Sequence, residues 1–165
     1  MLKMRTLVIN TSPIIALIAA LGDLQVLKMY ERVLVPVEVH HELLAGGAVN
    51  FALAEFEAAD WLDKRTQPVT IGTALRNSLD KGEAAVIQLA LDENFQTVCI
   101  DEAAGRRIAR LNGLLVTGSI GILLRALEQG YSFSMQETID RMRVQGIWLS
   151  DRVVAFALTQ AGENR

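Results

Sequence analysis

Three polar stretches stand directly after apolar runs: Asn10, Thr11 and Ser12 in TLVINTSPIIAL, Asp101 and Glu102 after TVCI, and Thr117, Gly118 and Ser119 after LLV. Two more acids sit near the ends of helical segments, Glu42 in VEVHHELLAGG and Glu83 in DKGEAAVIQLA. A site that gathers several carboxylates must hold a cation, because like charges at close range otherwise force some of them to keep their protons. An all-oxygen donor set, without cysteine or an obligatory histidine, suits Mg²⁺ or Mn²⁺ rather than zinc. Ions of this kind promote phosphodiester hydrolysis by activating water and stabilising the leaving oxygen. Each residue also has a plainer reading. Glu83 is favoured by the dipole of the helix it opens, Thr117 and Ser119 are good helix caps, and Glu42 can be a solvated helix acid. His40 and His41 are adjacent, whereas histidine ligands on a helix recur one turn apart, so the pair reads as polar side chains facing water.

The elements that must position these residues follow from hydropathy patterning. Residues 7–9, 33–35, 97–100 and 114–116 are short apolar runs that read as buried strands. Between them lie amphipathic segments. Ser12 is placed to cap a helix with Pro13 at its first position and residues 14–21 following, up to Gly22. Asp23 caps a short helix to about Tyr30, and Pro36 opens another that ends at Gly46 and Gly47. Residues 50–60, 80–94, 102–112, 119–129, 134–144 and 150–160 are further helices, the last two with Ser134 and Ser150 at their caps. Residues 61–65 suit an extended piece, and 66–78 is the least patterned stretch, a loop or insert. Short apolar strands alternating with helices make an α/β protein whose parallel sheet is covered on both faces. Ligands of such sheets bind at the carboxyl ends of the strands, where the strand order reverses. That is where the polar stretches fall.

Composition bounds the rest. The chain has 165 residues, 51% apolar and 21% charged, with a formal net charge of −3. This length suits one domain over 1–165, with 134–160 as C-terminal helices, and needs no disulfide or structural metal. The single Cys99 forms no internal disulfide, fits a reducing cytoplasmic setting and reads as a small buried apolar residue. No run approaches the roughly 18 apolar residues of a membrane span, so no membrane partner is expected. Lys3 and Arg5 ahead of apolar residues faintly imitate a signal peptide, but the Asn-Thr-Ser knot breaks the apolar region. Nothing global advertises nucleic-acid binding, although Arg106, Arg107 and Arg110 could form a local patch. Trp61 and Trp148 could stack on bases, but their apolar neighbours favour core or interface burial.

The succession VINTSPIIAL, VLVPVEVHHELL, DKGEAAVIQLAL and VCIDEAAGRRIARLNGLLVTGSIGILLRA resembles the PIN-domain superfamily over residues 7–158, in particular a PIN-like subgroup of nucleic-acid-binding proteins and toxin-type ribonucleases. The resemblance implies a three-layer α/β/α sandwich around a central, mainly parallel sheet. It implies a Mg²⁺- or Mn²⁺-dependent endoribonuclease, often the toxin of a toxin–antitoxin pair, with RNA as substrate, a small antitoxin protein as partner, and frequent homodimers. By motif, Glu42, Glu83 and Asp101 match the catalytic and metal-binding acids, and Asn10 stands where most PIN domains carry their first Asp. Arg106, Thr117 and Gly118 match recurrent positions of the subgroup, and Ser12 and Ser119 are placed to support a phosphate or the metal's surroundings. Asn10 is the departure that matters, because an amide oxygen still ligates Mg²⁺ but brings no charge. It leaves a second reading open, a catalytically degenerate module that binds nucleic acid or protein without turnover.

Overall fold

The computed structural model describes residues 4–46 and 50–163. Uninterrupted apolar runs suit strand segments buried on both faces, and the second half of β1 (Met4–Ile9) is such a run, with Leu7, Val8 and Ile9 wholly buried. β2 (Tyr30–Val35), β3 (Asp63–Lys64), β4 (Thr97–Cys99) and β5 (Leu115–Thr117) complete a five-stranded, all-parallel sheet in the order β3-β2-β1-β4-β5. The chain builds outward from β1 to β3, then returns to the other side of β1. Because crossovers are right-handed, this reversal puts the crossover helices of the two halves on opposite faces.

On one face, α1 (Thr11–Leu21) packs against α7 (Ser119–Glu128) and α8 (Met135–Val144). On the other, α5 (Lys81–Asp92) lies on β1 and β4 beside α4 (Thr73–Ser78) and α6 (Ala103–Leu111). α2 (Val37–Ala45) touches both α1 and α5, α3 (Asn50–Ala58) packs on α1 and α2, and α9 (Asp151–Gln160) on α7 and α8. The result is the expected three-layer α/β/α sandwich with added C-terminal helices. Ser134 and Ser150 cap α8 and α9 through their hydroxyls, which accept the backbone N–H of Glu137 and Val153.

Several local expectations shift. Helix α1 begins at Thr11 with Asn10 in the cap position, so Ser12 lies inside the first turn and caps nothing. Only Gln25–Met29 is helical after Asp23, as a tight 3₁₀ turn, and Tyr30 already belongs to β2 because its ring is buried against the core. The extended piece within 61–65 shrinks to Asp63–Lys64, and the stretch 66–78 ends in helix α4. Gly46 closes α2, while Gly47 lies outside the described residues. Cys99 is buried in β4. Among the described residues, no helix is long and apolar enough to cross a membrane.

Candidate metal centre

Parallel register brings the strand ends level. Ile9 pairs with Cys99, and Cys99 with Thr117. The ladder continues one step beyond: the Asn10 N–H donates to the Cys99 carbonyl at 3.0 Å, and the Ile100 N–H to the Thr117 carbonyl at 2.9 Å. Asn10 therefore sits at the point between β1 and β4 where strand order reverses, the usual place for a ligand in an open α/β sheet. It is only 3% exposed, and its side-chain Oδ1 is buried without a hydrogen-bond partner.

Acids converge on this point from three helices. At the start of α5, Asp80 caps the helix by accepting the Glu83 N–H at 2.8 Å. An acid three residues past such a cap belongs to the first turn, and here the turn carries Glu83 inward, to 4% exposure. Glu102 occupies the cap position of α6. Carboxylate oxygens of Asp80, Glu83 and Glu102 lie within 4.8 Å of one another. Glu42 arrives from α2 and feels the charges of both Asp80 and Glu102. The Ser12 hydroxyl reaches Glu102 Oε1 at 3.4 Å. Glu42 Oε1 and Glu83 Oε2, like Asn10 Oδ1, are buried without a hydrogen-bond partner.

The electrostatics follow from that crowding. Burial, and then the charges of Asp80 and Glu102, push the Glu83 carboxyl up to about 7. Burial comes first for Glu42 too, followed by Asp80, with the Thr11 hydroxyl pulling the other way. The helix dipole at the start of α5 favours a charged Glu83, but it does not outweigh desolvation and two neighbouring carboxylates. A buried oxygen with no partner costs free energy, and three of them face a cluster of like charge. A divalent cation answers both deficits, and an all-oxygen donor set is what a hard ion takes. The acidic cluster fits a metal site.

Two helical glycines make the room. A β-carbon on Gly82 would overlap Glu42 Oε1, with Asn10 Oδ1 3.2 Å away. A β-carbon on Gly105 of α6 would crowd Glu83 Oε2 and Ile100. Alanine normally favours a helix over glycine by up to about 1 kcal/mol. Gly82→Ala should nevertheless lower the melting temperature and weaken Mn²⁺ binding by about tenfold or more, since displaced supporting groups cost about 10–100-fold in metal affinity. Thermal melting and calorimetric titration check this; a more stable variant with unchanged affinity would show that Glu42 does not need the space.

One oxygen of Asp101 is engaged elsewhere. Its Oδ1 accepts both the backbone N–H of Ser119, at 2.7 Å, and the Ser119 hydroxyl, at 3.2 Å. Burial raises its carboxyl above the ordinary range, opposed by those two bonds and by the Arg106 charge. Arg106 donates from Nη1 to the Ile100 carbonyl at 2.8 Å and lies with Asp101 against Gly118. Thr117 is buried, its hydroxyl turned to the Gly118 carbonyl at 3.4 Å. The structure thus gathers Asn10, Ser12, Glu42 and Glu83 around the cluster, while Asp101, Arg106, Thr117 and Ser119 form a second polar group at the head of α7. In sequence Asp80 only opens a helical segment and is given no role, whereas it caps α5 and joins the cluster. Of the two acids after TVCI the family resemblance gives the ligand role to Asp101, whereas Glu102 is the one in the cluster. His40 turns to Glu57 and meets Phe56 edge-to-face, and His41 is exposed.

An all-parallel α/β sandwich with an acidic cluster at its switch point fits a metal-binding protein. A PIN domain family model matches residues 6–163, and the chain belongs to that family, whose fold and acidic cluster point to a nuclease. No match was found among curated proteins or among solved structures.

Proposed function

We propose that the protein is a Mg²⁺- or Mn²⁺-dependent endoribonuclease. The observation that carries this reading is the trio of partnerless buried oxygens, Asn10 Oδ1, Glu42 Oε1 and Glu83 Oε2, beside the Asp80, Glu83 and Glu102 carboxylates. Asn10, Glu42, Asp80, Glu83 and Glu102 would hold the cation, with Asp101 as a further candidate ligand through its remaining oxygen. When bound, the ion would supply Lewis-acid activation of water and of the scissile phosphate. The chain's own residues do the positioning. Asp80 fixes the first turn of α5 and with it Glu83. Ser12 holds Glu102 from α1. Asp101 holds Ser119, and Arg106 offers its remaining guanidinium donors to a phosphate beside the acids. RNA as the polymer, the toxin role, an antitoxin partner, a homodimer and a cytoplasmic location rest on the family resemblance alone.

The test is cleavage of a labelled single-stranded RNA with and without Mn²⁺, in the wild type beside Glu102→Gln and Asp101→Asn. Glu102→Gln should lose both Mn²⁺ binding, read calorimetrically, and cleavage. Asp101→Asn should lose cleavage, and should keep part of its metal affinity if Asp101 acts mainly through Ser119 and Arg106. Cleavage that persists in both variants would sink the assignment. The second reading, a module that binds without turnover, is favoured by the neutral Asn10. It requires a wild type that binds no Mn²⁺ at millimolar concentration.

A further inference from the structure

We propose that Trp148 is a base-stacking platform, gripping in the cleft beside the acids the nucleotides that flank the hydrolysed phosphate. This rests on the hydrolase reading above and adds to it a residue that holds the substrate away from the acids. The cleft has a volume of about 910 Å³ and starts at Ser12, Asp101 and Glu102, so it is continuous with the acid cluster. One wall is the start of α6 and α7; the other is the 147–150 segment that joins α8 to α9, continued by Val153 and Phe156. A strand whose phosphate lies at the acids must run on somewhere, and this is the cleft that opens from them.

Its lining has the chemistry a single strand needs. Arg106 and Arg125 both line it, and neither has a carboxylate within ion-pairing distance among the described residues. Arg125 touches the Met4 sulfur and Arg106 the Ile100 carbonyl, each through Nη1. Trp148 is 83% exposed and Phe156 55%, unlike Trp61, which is partly buried under the Lys28 ammonium. Tryptophan carries 150–250 Å² of surface that folding usually buries. An apolar protein partner would use the aromatics but has no need of two arginines outside any salt bridge. A duplex would meet the cations but hides its base faces. Cations beside exposed aromatic rings are the pattern by which single strands are held, phosphates on the cations and bases on the rings.

The experiment is fluorescence anisotropy of a labelled oligouridine of about twelve nucleotides, a span typical of such sites, beside the same length as a duplex. Ca²⁺ in the buffer neutralises the acids. The wild type should prefer the single strand. Trp148→Ala should weaken it about tenfold, the loss of one stacked base, and Trp148→Phe should recover most of that. Mn²⁺ affinity should be the same in all three proteins. Equal oligonucleotide affinity in the wild type and Trp148→Ala, a preference for duplex, or no binding overturns the proposal. So does a wild-type dimer that Trp148→Ala turns into a monomer in sedimentation, which would make this face a contact between two copies. Failure of the hydrolase reading appears separately, as absence of Mn²⁺ binding and of Mn²⁺-dependent cleavage, and leaves the oligonucleotide result standing.

Discussion

Glu83→Gln is expected to abolish Mn²⁺ binding while making the metal-free protein more stable at neutral pH. Replacing groups that merely support metal ligands costs about 10–100-fold in affinity. Glu83 has a carboxylate oxygen in the cluster, and its Oε2 is buried without a partner, so its loss should exceed the upper end of that range. Stability moves the other way because the wild-type carboxyl is held at about 7 in the folded protein, mainly by burial and then by Asp80 and Glu102. An acid with a raised folded pKa favours folding most at pH values below its ordinary 4.5, and that contribution is lost as pH climbs from there to about 7. In EDTA the wild type should therefore melt progressively lower between pH 5 and 8. Glu83→Gln should show a shallower decline, and each kcal/mol recovered raises the melting temperature by about 2–4 °C in a protein of this size. Glu42 and Asp101 are shifted in the same direction, so some slope should remain. Asp63, Glu93 and Glu163 are lowered and lose their contributions only in acid, outside this range. Mn²⁺ should flatten the wild-type profile and leave the variant's unchanged. A variant with wild-type pH slope and wild-type Mn²⁺ affinity would remove Glu83 from the site.

Asn10→Asp should make the metal-free protein less stable and the metal-loaded protein more so. The side chain is 3% exposed, and its oxygen lies near the Glu42 carboxylate across Gly82. A further charge there joins acids that already resist ionisation, so the variant should melt lower than the wild type in EDTA, increasingly so toward high pH. With a cation, the added charge strengthens the donor set, and ligand charge count is a main determinant of affinity at hard-ion sites. A tenfold gain in Mn²⁺ affinity corresponds to about 1.4 kcal/mol of added stability at saturating metal. The pair of melting curves, with and without Mn²⁺, should thus cross over relative to the wild type. A lower melting temperature under both conditions, with no gain in affinity, would mean that the Asn10 oxygen does not face the ion. Tight binding by the variant alone would favour the non-catalytic reading of the natural chain.

Hydropathy located the buried parts of the central strands, because a segment buried on both faces has to be apolar, and Leu7, Val8 and Ile9 leave little choice; the edge strand Asp63–Lys64 is polar and carries no such signal. The alternation of such strands with amphipathic helices required a parallel sheet, and the switch-point rule then placed Asn10, Asp101 and Glu102 at the ligand-binding edge. Glu83 was legible for a similar reason: a lone acid leading a wholly apolar helix face has to go inward. Tertiary structure decided the rest. Asp80 and Glu83 are three residues apart on one helix, yet only the approach of α6 brings Glu102 to both. Asp101 and Glu102 are chemically near-equivalent neighbours, and which of them faces the cluster depends on where the chain turns out of β4 and which donors meet it. Ser119 captures the first; the second is left at the cap of α6, pointing to α5. Trp148 has apolar neighbours in sequence, Ile147 and Leu149, and solvent in space, because it lies in the connection between α8 and α9 rather than on a packed helix face. Periodicity reports which residues leave water, but convergence of polar groups from separate helices is fixed by how the layers pack.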